Sequence, residues 1–166
     1  MILLKTKLHI PTVRSEWVER PRLYNSLDQG FQRKLVLVSA PAGFGKTTLV
    51  TSWLQKRGMP AAWLSLDQDD NDSRRFWFYF IAALQTIEAS VGEESLALLQ
   101  SLPTSVRETV IPVLLNEICN VQARFFLVLD DFHVVENQQI QEDVMFLLDH
   151  LPPSKHLIIS TRADPP

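Results

Sequence analysis

Residues 34–50 read KLVLVSAPAGFGKTTLV, and this stretch decides the fold of the chain. It begins with a short apolar run, residues 34–39, of the kind found in strands that are buried on both faces of a parallel sheet. A loop with two glycines follows, and then comes a run with helical spacing, residues 47–57. The stretch therefore predicts a strand, a tight loop and a helix in direct succession.

The loop itself, APAGFGKT at residues 40–47, predicts a site for phosphate groups. Gly43 and Gly45 allow successive backbone N–H groups to point into one concavity, and the following helix adds the positive end of its dipole. We expect Lys46 to contact the β- and γ-phosphates and the Thr47 hydroxyl to ligate Mg²⁺. The predicted phosphate contacts are Pro41, Ala42, Gly43, Phe44, Gly45, Lys46, Thr47 and Thr48.

The first position of the loop departs from the motif, which has glycine where this chain has Ala40. Alanine fits there if its φ is negative, so we expect the loop to tolerate it. The alternative is a glycine turn followed by a helix with an ordinary surface lysine. It is disfavoured because the motif stands between a predicted strand and a predicted helix.

Three more apolar runs predict strands, and segments with helical spacing lie between them. The strands are residues 61–66, 125–130 and 156–160, and the helices are residues 73–88, 105–120 and 138–150. This alternation predicts an α/β fold of three layers, with helices on both faces of a mostly parallel sheet. At 166 residues the chain has the size of one domain, with residues 1–33 as a lead-in segment and 34–166 as the sheet core.

The third predicted strand ends in two carboxylates, at the edge where open α/β sheets bind ligands. We expect Asp130 to hold Mg²⁺ opposite Thr47, and Asp131 to orient the water that attacks the γ-phosphate. An Asp pair that only caps a turn is the alternative. Arg162 follows the fourth strand and is a candidate sensor of the γ-phosphate, although a solvated loop arginine fits the sequence equally well.

Composition limits the classes of function. A net charge of -3 gives no broad positive field, so nucleic acid is not the expected partner of this chain. Cys119 is the only cysteine and cannot form an internal disulfide, which fits a reducing compartment. The longest apolar run, residues 76–84, is far shorter than the roughly 20 residues that cross a bilayer. We expect a cytoplasmic protein without a membrane span.

Three other signals carry no predicted chemistry. The acidic stretch at residues 67–72 lacks the glycine and the glutamate of a calcium loop, because Asp72 and Phe78 occupy those positions. We expect a solvated turn that caps the next helix. That helix is apolar on several sides, so either neighbouring elements or further domains cover it. His133 and Cys119 lack partners at metal-ligand or catalytic spacing and are interpreted as structural.

Six segments resemble the N-terminal nucleotide-binding domain of the large MalT-like LuxR-type bacterial transcription regulators, a branch of the STAND signalling ATPases. They are TKLHIP at 6–11, VERPRL at 18–23, SAPAGFGKTTL at 39–49, WLSLD at 63–67, LVLDDFH at 127–133 and STRADPP at 160–166. In that family the first position of the phosphate loop is commonly alanine, as at Ala40. The resemblance implies a P-loop NTPase fold of the additional-strand type with strand order 1-4-3-2.

The resemblance also implies a function. ATP favours an open, oligomerising state in such proteins and ADP a closed one, and slow hydrolysis resets the switch. Arg20 and Arg22 lie in a segment that resembles the family's motif near the base and ribose. For the parent protein, the resemblance implies a helical and winged-helix lid, a sensor domain, self-oligomers and DNA binding through a C-terminal helix-turn-helix.

The chain is expected to be a fragment of such a regulator. Pro165 and Pro166 follow the fourth predicted strand almost at once, so we expect a fifth strand to be missing through truncation. The first strand would then present an open edge that favours self-association.

The predicted function is therefore Mg²⁺-dependent ATP binding in a conformational switch with slow hydrolysis. A GTPase is disfavoured because the base-reading NKxD run is absent from the sequence. A small-molecule kinase remains an alternative, but it needs a basic lid, and Lys155 and Arg162 are the only cationic Lys or Arg residues after Asp130. A nucleotide-binding interaction module without hydrolysis also remains open.

Overall fold

The computed structural model describes residues 2–12, 21–41, 43, 45–101 and 105–162. Its strands are β1 (Leu35–Ser39), β2 (Ala61–Ser65), β3 (Phe125–Asp130) and β4 (Lys155–Thr161). They form one sheet in the order β1-β4-β3-β2, and all three pairings are parallel. The predicted α/β class and strand order are confirmed, and every strand in the described sheet is parallel.

The α-helices of the described residues include two, α1 and α4, that the sequence pattern does not predict. The full set is α1 (Pro21–Asp28), α2 (Lys46–Arg57), α3 (Ser73–Gln85), α4 (Glu93–Ser101), α5 (Ile111–Cys119) and α6 (Gln138–Asp149). Short 3₁₀ helices lie at Lys5–Leu8, Gln29–Gln32, Gln68–Asn71 and Phe132–Val134, and a π-helix lies at Val106–Val110. The sequence misses α1 and α4 because eight or nine residues are too few for a clear helical period. Within the described ranges, no helix is long and apolar enough to cross a membrane.

Helices cover both faces of the sheet, as predicted for a three-layer fold. Because successive side chains of a strand point to opposite faces, each strand contributes to two separate cores. On one face, strand residues pack with α1 and α2 in a cluster of Tyr24, Leu27, Val50, Trp53, Leu54, Trp63, Phe126, Val128 and Ile158. On the other face, Leu64, Leu127, Leu129 and Ile159 pack with residues of α3, α5 and α6.

Helix α3 is covered within the chain, which resolves the two interpretations of its apolar sides. Trp77 and Phe80 are buried in the larger core, and Leu3 packs against the same cluster. The Tyr79 hydroxyl accepts a hydrogen bond of 3.0 Å from the Leu4 N–H group. The N-terminal segment therefore forms part of the cover of this helix.

The acidic stretch at residues 67–72 caps helices as predicted, but it is not simply a solvated turn. Asp67 caps the 3₁₀ helix Gln68–Asn71, and the Asp72 side chain accepts a hydrogen bond from the Arg75 N–H group at the beginning of α3. Asp70, however, is 0% exposed, and its carboxylate accepts hydrogen bonds from Lys7 (2.5 Å) and Arg75 (3.2 Å). The sequence pattern misses this burial because Lys7 lies 63 residues away along the chain.

The predicted helix at residues 105–120 is divided into two parts. It begins as the π-helix Val106–Val110 and continues as α5, whose second residue is Pro112. Proline lacks the N–H group that the regular helical ladder needs, so a wider turn precedes it.

A buried histidine lies at the opposite edge of the sheet from the predicted site. His156 is 2% exposed, its Nδ1 lies 2.6 Å from the Arg33 carbonyl oxygen, and its ring stacks on Phe126. Because a carbonyl oxygen only accepts, Nδ1 carries the proton, and Nε2 is the acceptor for Arg124 at 3.0 Å. Burial, together with the charge of Arg124, lowers the pKa of His156 below its ordinary value of 6.5.

We expect His156 to make the fold acid-sensitive. The folded chain binds this proton less tightly than the unfolded chain, so the contribution to stability is complete above about pH 6.5 and is lost as the pH falls below it. For one proton, the free energy of unfolding changes by at most about 1.4 kcal/mol per pH unit. Urea unfolding between about pH 7 and pH 5 measures it: His156→Asn should flatten the dependence, whereas His9→Asn, at an exposed site, should not. An unchanged slope in His156→Asn would refute this role.

We expect the Lys7–Asp70 ion pair to be essential for stability. Asp70→Ala leaves Lys7, which is 6% exposed, without its closest partner, and breaking a buried pair costs about 3–5 kcal/mol. Asp69→Ala, in the same turn but exposed, should cost within about 0.5 kcal/mol. Urea unfolding compares the two, and equal losses would contradict the assignment.

Candidate functional site

The loop between β1 and α2 turns sharply at its glycines. Gly43 has φ +86°, and Gly45, which precedes α2, has φ +74°. Among the described residues, Asp131 is the only non-glycine with positive φ, so Ala40 has the negative φ expected for alanine at the first loop position. The Ala40 N–H group donates to the Thr161 carbonyl oxygen at 3.4 Å, which fixes the beginning of the loop to the end of β4.

Lys46 is the first residue of α2, and its side chain folds back over the loop. Its Nζ donates a hydrogen bond of 2.6 Å to the Ala40 carbonyl oxygen and lies 3.5 Å from the Pro41 carbonyl oxygen. The ammonium group is therefore held beside the loop and the N-terminal end of α2, where the helix dipole also favours negative charge.

Thr47 and Asp130 meet at the carboxyl edge of the sheet. The Thr47 hydroxyl donates to the Asp130 carboxylate, with Oγ1 lying 3.0 Å from Oδ2 and 3.3 Å from Oδ1. The two residues are 83 positions apart in the sequence. Thr47 follows β1 and Asp130 ends β3, and β4 lies between these two strands in the sheet. The Leu66 N–H group donates to the Asp130 carbonyl oxygen at 3.1 Å, which holds the backbone at this edge.

Asp130 is a buried carboxylate without a cationic partner among its described contacts. It is 5% exposed, and burial raises its pKa above the ordinary value of 3.8. The Ser160 hydroxyl is close enough to oppose this rise, although its oxygen makes no contact with hydrogen-bond geometry. The charge of the neighbouring Asp131 raises the pKa of Asp130 further. A bound cation would stabilise the charged form of this carboxylate.

The oxygen atoms of Thr47 and Asp130 fit a magnesium ion. Mg²⁺ binds oxygen at about 2.0–2.1 Å in an octahedron, so neighbouring ligand oxygens lie about 2.9 Å apart. The 3.0 Å distance between Thr47 Oγ1 and Asp130 Oδ2 agrees with this spacing. No group of three or more His, Cys, Asp or Glu residues forms a metal site in the described part of the chain.

Asp131 lies next to this pair with an unusual backbone. Its φ and ψ are 59° and 41°, in the left-handed region that non-glycine residues seldom adopt, and its side chain is exposed. The Val134 N–H group donates to the Asp131 carbonyl oxygen at 3.2 Å and closes the turn that follows β3. The carboxylate is thus presented to solvent at the same edge as Asp130.

The structure connects the remaining predicted site residues less directly to the loop and to Asp130. Thr48 lies in the first turn of α2, and Arg162 is exposed just after β4, with its carbonyl oxygen accepting a hydrogen bond of 3.4 Å from the Ser39 hydroxyl. Arg22 is exposed in α1, and none of its described contacts connects it to the loop. Ala42, Phe44 and Arg20 lie outside the described residues.

Sequence reasoning gave no role to two polar residues at this edge. Ser160, which is 1% exposed, lies beside Asp130. Asn71, which the sequence places only in the acidic turn, connects the loop after β2 to the loop after β3 through hydrogen bonds to Val134, Glu136 and Asn137. A polar residue at the end of the fourth predicted strand is a usable signal for Ser160. No local signal marks Asn71, because the partners that it contacts across the edge lie more than 60 positions away.

The chain is similar to bacterial regulators over nearly its whole length, although no family model matches it. It is 35% identical over 164 residues to the HTH-type transcriptional regulator MalT of Yersinia pestis (strain Pestoides F) and of Yersinia pseudotuberculosis serotype O:1b. It is 33% identical over 161 residues to MalT of Klebsiella pneumoniae subsp. pneumoniae. These alignments cover 97–99% of this chain and 18% of each regulator. The chain is thus similar to MalT regulators over nearly all of its own residues, and it spans about 18% of the length of the relatives it matches.

Proposed function

We propose that this chain is an ATP- and Mg²⁺-binding switch domain of a signal-responsive transcription regulator. The observation that carries the proposal is the contact between the Thr47 hydroxyl and the buried Asp130 carboxylate, at the beginning of a helix that follows a glycine loop. Two hard oxygen ligands at this spacing, beside backbone N–H groups and a lysine, suit a nucleotide whose phosphates share a magnesium ion.

Each residue of the proposed site has a role that follows from its chemistry. Lys46 binds the β- and γ-phosphates as a point charge after leaving the Ala40 carbonyl oxygen, and the N–H groups around Gly43 and Gly45 surround phosphate oxygens. Thr47 and Asp130 hold Mg²⁺, which neutralises charge that develops on the phosphates. Thr48 is a proposed contact to the inner phosphate.

Hydrolysis needs a group that orients water toward the γ-phosphate. Asp131 suits this role because its carboxylate is exposed beside Asp130 and is free of the metal position. Arg162, at the end of β4, is proposed to sense the γ-phosphate, since a guanidinium group there can bind phosphate oxygens. Arg20 and Arg22 are proposed to lie near the base and ribose.

In the parent protein, we propose that ATP favours an open, oligomerising state and that ADP favours a closed one. The similarity to regulators named for a helix-turn-helix supports DNA binding by another part of that protein. A helical and winged-helix lid and a sensor domain are the proposed partners that read the nucleotide state.

One alternative loses support from the structure. A small-molecule kinase needs mobile basic residues near the phosphates, and Lys155 was one of only two such residues after β3. Lys155 is 2% exposed, and its Nζ donates to the carbonyl oxygens of Val121 and Ala123, both at 2.6 Å. It is therefore not free to act in a lid. An interaction module that binds ATP without cleaving it remains the second candidate, and the exposed Asp131 favours the hydrolysing form.

We expect Lys46→Ala to weaken ATP binding by about tenfold to a hundredfold, since a hydrogen bond to a charged group contributes about 1.5–3 kcal/mol. Isothermal titration calorimetry with ATP and with ADP in the presence of Mg²⁺ measures the change. Lys5→Ala, at an exposed site in the N-terminal segment, is the matched control and should bind like the wild type. If the folded wild-type chain binds neither nucleotide, the proposal is wrong.

The two neighbouring carboxylates should separate binding from cleavage. Mg²⁺ should raise the ATP affinity of the wild-type chain, and in Asp130→Asn this increase should be smaller by about tenfold or more, because the ion loses a charged ligand. Asp131→Asn should retain ATP affinity and lower phosphate release by about a hundredfold or more, as expected on loss of a general base. Calorimetry with and without Mg²⁺, combined with single-turnover phosphate release, tests both. Equal behaviour of the two variants would rule out this division of roles.

A further inference from the structure

Asn71 connects two loops at the carboxyl edge of the sheet. It is the last residue of the 3₁₀ helix Gln68–Asn71, which follows β2, and all but one of its side-chain partners lie in the segment that follows Asp131. Backbone hydrogen bonds within the sheet, the bond from Leu66 to Asp130, and packing of apolar side chains such as Leu66 and Val135 in the larger core also join β2, β3 and the loops after them. A side chain that fastens one loop to the other therefore affects where the second loop lies.

All hydrogen-bonding groups of the Asn71 side chain are used. Its Nδ2 donates to the carbonyl oxygens of Val134 (2.9 Å) and Gln68 (3.0 Å). Its Oδ1 accepts from the N–H groups of Glu136 (2.7 Å) and Asn137 (3.0 Å). The Asn71 carbonyl oxygen accepts a further bond of 2.7 Å from Asn137 Nδ2. Such an arrangement specifies one position of the second loop, because any shift breaks several bonds together.

The held segment leads directly to Asp131. Val134, whose carbonyl oxygen accepts from Asn71, donates its own N–H group to the Asp131 carbonyl oxygen at 3.2 Å. Asp131 has the left-handed backbone described above, and residues in this region persist when their surroundings hold them there. The turn Phe132–Val134 also packs against the larger core, and its backbone sets the direction from which the Asp131 carboxylate projects.

The loop that carries Asn71 is itself held firmly. The adjacent Asp70 is completely buried and is paired with Lys7 and Arg75. Its carboxylate also accepts a hydrogen bond of 2.8 Å from the Asp67 N–H group. Asn71 therefore projects from a rigid anchor toward the segment after β3, rather than moving with it.

We propose that Asn71 is a positioning residue that holds the Asp131 carboxylate in the orientation needed for attack on the γ-phosphate. This inference rests on the proposed function and concerns the rate of cleavage alone. Asn71 has no described contact with the loop at residues 40–47 or with Asp130, so its loss should leave nucleotide binding unchanged. A misplaced reacting group can lower a rate about a hundredfold without loss of affinity.

The test compares Asn71→Ala with the wild-type chain in two assays. Calorimetry measures ATP affinity in Mg²⁺, and single-turnover phosphate release at saturating ATP measures cleavage. We expect affinity within about twofold of the wild type and a cleavage rate lower by about tenfold or more. Asn71→Asp, which keeps the acceptor for Glu136 and Asn137 but places an oxygen against the Val134 carbonyl, should show the same loss and serves if Asn71→Ala does not fold.

Glu117→Ala is the matched control. The Glu117 carboxylate accepts from the N–H groups of Glu94 (3.4 Å) and Ser95 (3.1 Å) at the beginning of α4, so its removal also frees two backbone donors, but away from Asp131. We expect it to cleave ATP at the wild-type rate. If a folded Asn71 variant cleaves ATP at the wild-type rate, the inference is overturned and the proposed function stands. The same holds if Glu117→Ala lowers the cleavage rate as much as the Asn71 variants do.

Failure of the proposed function gives a different result. A wild-type chain that binds ATP and releases no phosphate would overturn both the role of Asp131 and the inference on Asn71, while ATP binding would stand. A wild-type chain that binds no nucleotide would overturn the whole assignment.

Discussion

The contact between Thr47 and Asp130 depends on a single geometric constraint, which is that all four strands are parallel. Parallel strands bring their carboxyl ends to one edge, so the loop after β1 and the carboxylate at the end of β3 meet across β4 despite 83 positions of separation. The Asp130 carboxylate is buried at this edge, and burial raises its pKa. Close packing of the strands thus creates an electrostatic cost at the same place where it brings the Thr47 and Asp130 oxygen atoms together.

Much of the fold follows from local sequence patterns. β3 was predicted with the correct bounds, and the bounds of the other strands differ by one residue at one or both ends, because buried parallel strands form uninterrupted apolar runs. The predicted end of α2 at residue 57 is confirmed, and the structure adds that Gly58 takes the left-handed conformation that ends helices, with φ +63°. The short helices α1 and α4 and the π-helix Val106–Val110 were missed, since their stability comes from packing rather than from a repeated pattern.

The candidate site divides in the same way. Gly43, Gly45, Lys46 and Thr47 lie within one short motif at residues 40–47, so the phosphate-site hypothesis needs only local sequence. The residues that support the edge cannot be predicted, because Lys7 with Asp70 and Asn71 with Val134 are each separated by 63 positions. A polar residue in an acidic turn has the same local sequence whether it faces water or fastens a second loop. Only the assembled sheet distinguishes these two cases.

The features that conflict with stability are concentrated near the edge. Asp130 is a buried acid without a described cationic partner, Asp131 has a left-handed backbone, and the Ser160 hydroxyl has no hydrogen-bond partner among the residues that the structure describes. Elsewhere in the described chain, the buried Asp70 carboxylate is paired with Lys7, and the buried Lys155 ammonium group donates to two carbonyl oxygens. Ser52 and Trp77 also carry buried atoms without partners, so a single unsatisfied atom does not identify a site. What distinguishes the edge is that a cation and phosphate oxygens would satisfy several of its groups at once, which is expected where local stability has been exchanged for binding.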